Sequence, residues 1–318
     1  MATECIKELG ILPEWFDSAT AAYYDGYIHL VGQAEKAVTL KNTHYVLDVN
    51  GNRIYSINAP FGNRGEGLAS LLNGRLYQVG STTINDTWYF DPNIAGYTAA
   101  SWQFVSNFAS AIGSRTMAAG CDANGWFYIL GGWTNNTIYK TQNFTSWTFV
   151  ANLPSNINRL SSAGCCFFNN KIYIVGGVSN VTAQNPTSFY NGFVDGYVYT
   201  LDPVTDTLTQ IYQDKVKFGQ CWGNLQTDGT KLYWVRGFVS STQALTFSPG
   251  DGIVANDNQR GMYSSFDGIT WTTESLYSDT NTGFLFERHA TPNCRANNAA
   301  YFIGGFAAND MWKLEYSL

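Results

Sequence analysis

Charge is what this chain has least of. Only 13% of its 318 residues are Asp, Glu, Lys or Arg, and the formal balance is −6. An acidic chain with 18 cations excludes nucleic acid as a general partner. Histidine is scarcer: His29, His44 and His289 are the whole set, and none lies near another in sequence, so no histidine metal motif is expected. The six cysteines (Cys5, Cys121, Cys165, Cys166, Cys221 and Cys294) show no Cys-x-x-Cys spacing. They read as small buried thiols rather than as a disulfide framework or a zinc site. No run of 18 apolar residues occurs, so no membrane-spanning helix is expected. The opening "MATECIKELGILPEW" lacks a basic stretch followed by an apolar core, and no secretory leader is read there; the expected setting is the cytoplasm or a virion. No Gly-x-Ser-x-Gly or phosphate loop stands out, and no cofactor is expected.

Present in abundance are glycine, with 31 residues, and aromatics, at 16%. They fall into a repeat. The stretch "GWFYILGGW" from Gly125 recurs as "GYIHLVGQ" from Gly26, "GRLYQVGS" from Gly74, "NKIYIVGGV" from Asn170, "TKLYWVRGF" from Thr230 and "NAAYFIGGF" from Asn298. Aligned on Gly32, Gly80, Gly131, Gly176, Arg236 and Gly304, the copies step by 48, 51, 45, 60 and 68 residues. An aromatic or His holds the fourth place (His29, Tyr77, Tyr128, Tyr173, Tyr233, Tyr301), and an aliphatic precedes the glycines. Repeats of roughly 50 residues with a glycine pair after an apolar strand predict propeller blades, each a four-stranded sheet.

Each copy supplies strand b of a blade, with cores near 27–32, 75–80, 126–131, 171–176, 231–236 and 299–304. Upstream lie segments rich in small residues, such as "SATAAYYDG" and "LSSAGCCFFNN", which suit strand a, crowded round the axis. Asp-Gly and Asn-Gly between a and b are hairpin signals. Strands c and d follow, as in "DTWYFDPN" and "SWQFVSNF". The sixth strand d is missing at the C-terminal end, but residues 4–13, "ECIKELGILP", have its form. The expectation is a single all-β, six-bladed propeller over residues 1–318, four antiparallel strands per blade, closed by the N-terminal strand entering the last blade, which removes an exposed edge. One further motif, "SFDGITW" from Ser265, has the S-x-D-G-x-x-W form of an Asp-box turn between strands c and d.

These repeats resemble those of kelch proteins and of the galactose oxidase central domain over essentially the whole chain. The Gly-Gly pair is intact at Gly131-Gly132, Gly176-Gly177 and Gly304-Gly305 and altered at Gly32-Gln33, Gly80-Ser81 and Arg236-Gly237; Trp88 and Trp312 are partial counterparts of the family's strand-c tryptophan. The resemblance implies a propeller whose d–a and b–c loops open together on one face around the axis. Kelch proteins commonly carry an arginine at that face. The copper-radical motifs of galactose oxidase are not recognisable, whereas a kelch-type sialic acid mutarotase would also grip a carboxylate with arginines at the hub.

In register just before strand a stand Arg64, Arg115, Arg159, Lys217 and Arg288. Two uses are open to them: bonding neighbouring carbonyls, or binding an acidic ligand through the planar guanidinium fork. Two long b–c loops, residues 178–196 and 239–260, are rich in Asn, Ser, Thr and aromatics, and loops of this length on a compact scaffold are commonly functional. Trp133, Phe189, Tyr190, Phe193 and Phe238 are the aromatic candidates on or beside the b–c loops, and Glu287 and His289 the weak acid–base candidates beside Arg288. His29 reads as buried packing, and His44 has no evident partner. The expected function is a non-enzymatic recognition propeller, such as a phage or virion surface protein, taking a carbohydrate, an acidic small molecule or a protein partner at the pore face. A sugar-acid mutarotase and a cytosolic kelch interaction module are the alternatives.

Overall fold

The computed structural model describes the chain except for residues 1–4, 13–15, 17, 36–38, 82–83, 109–111, 114, 134, 155–156, 158–159, 179, 182–191, 194–195, 219–222, 236–261, 275–276, 279–292, 297, 305–309 and 316–318. Six four-stranded antiparallel blades, lettered a to d from the axis outward, make up the fold. Blade one is Thr20–Tyr24, Tyr27–Glu35, Thr39–Leu47 and Arg53–Asn58. Blade two is Leu68–Ser70, Leu76–Val79, Asp86–Phe90 and Trp102–Asn107. Blade three is Ala119–Ala123, Trp126–Leu130, Thr137–Thr141 and Thr148–Asn152. Blade four is Gly164–Phe168, Lys171–Val175, Tyr197–Asp202 and Thr207–Gln213. Blade five is Asn224–Thr227, Leu232–Val235, Met262–Ser265 and Thr272–Glu274. Blade six takes Asn293–Ala296, Ala299–Ile303 and Asp310–Glu315 from the C-terminal end and Cys5–Ile11 as its strand d. The short strand Tyr277–Ser278 pairs parallel to that N-terminal strand on its outer side. Among the described residues no helix is long and apolar enough to cross a membrane.

Strands b are buried on both faces because each blade packs between two neighbours. The clusters show it. Ala119, Tyr128 and Leu130 of blade three pack on Ile172, Ile174 and Tyr199 of blade four, while Phe168, Tyr173 and Val175 on the other side of blade four meet Leu225, Leu232 and Trp234 of blade five. The six inner strands succeed one another round the axis; blades five and six are joined by an Asn293 Nδ2–H donated to Asn224 Oδ1.

The glycine signature has a specific cause in this ring. A Cβ on Gly131 would lie 2.2 Å from the Leu160 carbonyl oxygen, and Gly131 has φ +62°. Leu160 belongs to the segment entering the next blade, and Gly132 N–H donates to that same carbonyl at 2.7 Å. Gly32 meets Arg64 O and Gly304 meets Phe16 O in the same way, at 2.6 and 2.8 Å from the absent Cβ. The glycine thus marks where one blade's backbone presses against the chain leading into the next.

Candidate functional site

Two residues before strand a, the chain of blades one to four turns through the left-handed region. Ser18 (φ 57°), Glu66 (57°), Met117 (55°) and Ser162 (57°) hold equivalent places. This conformation costs on the order of 1–2 kcal/mol for a non-glycine residue. Hydrogen bonds between blades offset it: Glu66 N–H donates to Ser18 O at 2.6 Å and Ser162 N–H to Met117 O at 2.7 Å. The four turns form a collar. Inside it lies a cavity of about 250 Å³, lined by Ser18 and Thr20, Glu66 and Gly67, Met117 and Ala119, Ser162 and Cys165, Asn224, and Asn293, so every blade contributes. Among the described residues of that wall, Glu66 is the one ionisable carboxylate, and no cation lines it. Beneath the surface, Thr20 Oγ1 and Ser162 Oγ are buried without a hydrogen-bond partner among the described residues.

Three of the five cations expected at the hub lie among the described residues, and their side chains are engaged away from the cavity. Arg64 is fully buried and joins blades one and two. Its backbone N–H donates to Lys41 O, and its guanidinium donates to Asp86 Oδ1 and Oδ2 at 2.9 and 3.3 Å and lies 3.9 Å over the Phe61 ring. Asp86 also accepts from Trp88 Nε1. Arg115 is 2% exposed and donates to Gly131 O, Thr137 O and Thr137 Oγ1 at 2.7–2.9 Å. Burial pushes its guanidinium down to about 10. Asp86 and Thr137 both open strand c of their blades, so the two arginines do the same work, tying the entry of strand a to the start of strand c. Lys217 sits in a one-turn helix, Lys215–Phe218, whose start is capped by Asp214; its Nζ lies 3.5 Å from that carboxylate. None of these three lines the cavity. A guanidinium excluded from water needs partners, and both arginines found them within the wall, with Arg115 Nε alone left unpaired among the described residues.

Arg159, Arg288, Glu287, His289, Phe189, Tyr190 and Phe238 lie outside the described residues, as do nearly all of the two long loops. Trp133 is half-buried beside the collar, its N–H donated to Thr116 O at 2.8 Å, next to Met117. That bond is made by its backbone, and Trp133 is not among the residues that line the cavity.

His44, expected to lack a partner, has two. In the b–c pairing of blade one His29 faces Val46 and His44 faces Val31, which makes the two rings diagonal neighbours on one face. His29 Nδ1 and His44 Nε2 are 2.8 Å apart, Trp102 Nε1 reaches His44 Nδ1 at 3.2 Å, and His29 Nε2 reaches Tyr24 O at 3.1 Å. An indole N–H only donates. His44 must therefore accept at Nδ1, donate from Nε2 to His29 Nδ1, and leave His29 to donate from Nε2 to the carbonyl. Both rings are neutral in this chain. Both are fully buried, and burial holds His29 down at about 4 and His44 well below the ordinary histidine value.

The Asp-box turn forms as expected. Ser265 Oγ accepts from Asp267 and Gly268 N–H, Asp267 Oδ1 accepts from Ile269 and Thr270 N–H, and Trp271 Nε1 donates to Gly268 O. A second copy in blade three, "TQNFTSW", carries Thr141 and Asn143 in the same roles and Phe144 at φ 60° in the place of glycine. Asp48, Asp91 and Asp202 likewise accept backbone N–H bonds at the c–d turns of blades one, two and four.

The collar, the axial cavity and the six equivalent sheets define the molecule as a six-bladed β-propeller, a scaffold consistent with a binding or interaction module. No family model matches the chain, and no curated protein sequence matches it.

Proposed function

We propose that the protein is a recognition propeller that binds at the collar face, where the inner strands begin. One observation carries the reading: the axial cavity of about 250 Å³, walled by Ser, Thr, Asn, one Glu and the backbone of small residues from every blade. Concave sites with a few convergent polar groups on a rigid scaffold are where small ligands bind. With Arg64 and Arg115 engaged inside the wall and Glu66 facing the cavity, a neutral, hydroxyl-bearing ligand suits the mouth better than an acidic one. A carbohydrate, or a protein loop offering hydroxyls and amides, has that chemistry. The kelch-like repeat pattern and a composition low in charge and rich in Asn, Thr, Gly and Tyr agree with an extracellular or virion-surface recognition role.

The test is a titration of the full chain by NMR with neutral hexoses, an N-acetylated amino sugar and sialic acid. Binding of a neutral sugar, lost in an Ala21→Leu variant that fills the cavity and kept in a rim variant Val204→Ser, is the expected result. Preferential binding of sialic acid, or accelerated anomeric exchange, would replace this reading with that of a sugar-acid enzyme.

A further inference from the structure

Two thiols meet across the interface of blades three and four. Side chains alternate sides along a strand, and in strand a of blade four Cys165 belongs to the cluster shared with blade three, whereas Cys166 belongs to the one shared with blade five. Cys121, on strand a of blade three, packs into the same cluster as Cys165. The two inner strands are neighbours, and the two thiols lie within hydrogen-bond reach of each other. Both thiols are free. Cys165 also lines the axial cavity, which gives a small reagent a route to the pair.

We propose that Cys121 and Cys165 form a reversible disulfide that cross-links blades three and four at the hub. Cys165, the sulfur on the cavity wall, reacts first. It gives its proton to solvent, and its thiolate attacks one sulfur of a small disulfide such as oxidised glutathione; the S–S bond breaks and one glutathione leaves as a thiolate that takes up a proton. Cys121 then gives its proton to solvent, attacks the Cys165 sulfur of the mixed disulfide and expels the second glutathione, which is protonated in turn. The protein loses two hydrogens, and the reagent is reduced to two thiols. The hydrogen bond to Cys121 and burial hold Cys165 well above the ordinary thiol range, so the first step is the slow one.

The experiment incubates the full chain with oxidised glutathione, blocks residual thiols and maps non-reduced peptides by mass spectrometry. A Cys121–Cys165 peptide pair is expected, absent after dithiothreitol and absent in Cys121→Ser and Cys165→Ser, yet retained in Cys166→Ser. A melting temperature raised by about 3–6 °C in the oxidised protein, reversed by reductant, is the accompanying shift for a closed loop of this length. Alkylation of both thiols to completion after oxidation, or a linkage that maps to Cys166 or another cysteine, would overturn the proposal.

Discussion

Acidification should loosen the interface of blades one and two before it touches the rest of the molecule. The perturbation is a fall in pH from 7.5 to 4.5. His29 and His44 are buried and neutral, joined through hydrogen bonds that leave no nitrogen free to take a proton: His44 Nδ1 accepts from Trp102, and His29 Nδ1 accepts from His44. The surrounding rings are Tyr24, Phe90, Tyr97 and Trp102; the Tyr24 carbonyl and then the charge of Asp25 only partly oppose desolvation of His29. In the unfolded chain a histidine takes its proton near 6.5; His29 in the fold takes it at about 4. Between those values the unfolded state binds more protons, so stability is full above about 6.5, falls as the pH drops, and levels off below about 4. At about 1.36 kcal/mol per unit, His29 alone removes about 1.4 kcal/mol by pH 5.5 and about 2.5 kcal/mol by pH 4.5. His44 adds to this. Depressed carboxylates do not contaminate the window. Burial raises Asp48, Asp228 and Asp267, but the hydrogen bonds they accept (for Asp228 first of all from the Tyr233 hydroxyl) outweigh it, so their contribution stays intact until the pH falls below about 4. The assay is urea unfolding at half-unit pH steps, with the double variant His29→Tyr/His44→Met, which imports the pair found at the equivalent places of blade six, Tyr301 and Met311. The wild-type stability should drop through pH 6 to 4.5 while the variant's stays nearly level. A flat wild-type profile, or a variant that falls equally, would refute the reasoning.

Other consequences follow from the same contacts. Arg64→Met strands Asp86 in the wall of blade two and should cost about 3–5 kcal/mol in urea unfolding, the loss expected from breaking a buried pair; a loss under 1 kcal/mol would mean the pair is solvated. Gly131→Ala drives a methyl to 2.2 Å from Leu160 O at a positive φ, and should lower the melting temperature by more than 5 °C, whereas Gly125→Ala, where a Cβ meets nothing within 4 Å, should show only the backbone cost. Asn143→Ala removes the acceptor of four hydrogen bonds at an exposed turn and should cost about 1–2 kcal/mol, close to the loss in Asp267→Ala if the two turns are equivalent.

The blade plan was legible because it rests on spacing and on residue size: each glycine-ended apolar run became a strand b, and each run of small residues a strand a. That the glycine allows a positive φ and a close backbone approach was legible; which carbonyl fills its Cβ position was not, since it belongs to the chain entering the neighbouring blade. Which of the two uses open to Arg64 and Arg115 applies was not legible either, for a similar reason. Register placed Arg64, Arg115 and Lys217 at the right point along the chain, but direction depends on partners: Asp86, 22 residues on, and Thr137, also 22 residues on, could be matched only once strand c was set beside the entry to strand a. The histidine chain needed one more level, because His29 and His44 become neighbours only in the b–c register and Trp102 reaches them from another blade. The second Asp-box-like turn escaped because Thr141, Asn143 and Phe144 replace Ser, Asp and Gly, each keeping the role with a different side chain. The signal that could have found it was Trp147, at the same offset from Thr141 as Trp271 from Ser265.

The central claim is a closed ring fastened by its first strand, and hydrogen–deuterium exchange tests it most directly. The amides of Cys5–Ile11 pair with Asp310–Glu315 on one side and with Tyr277–Ser278 on the other, so peptides covering that segment should exchange as slowly as those from strand c of the other blades. Exchange of residues 5–11 at the rate of a free chain, with residues 310–315 equally unprotected, would contradict the ring.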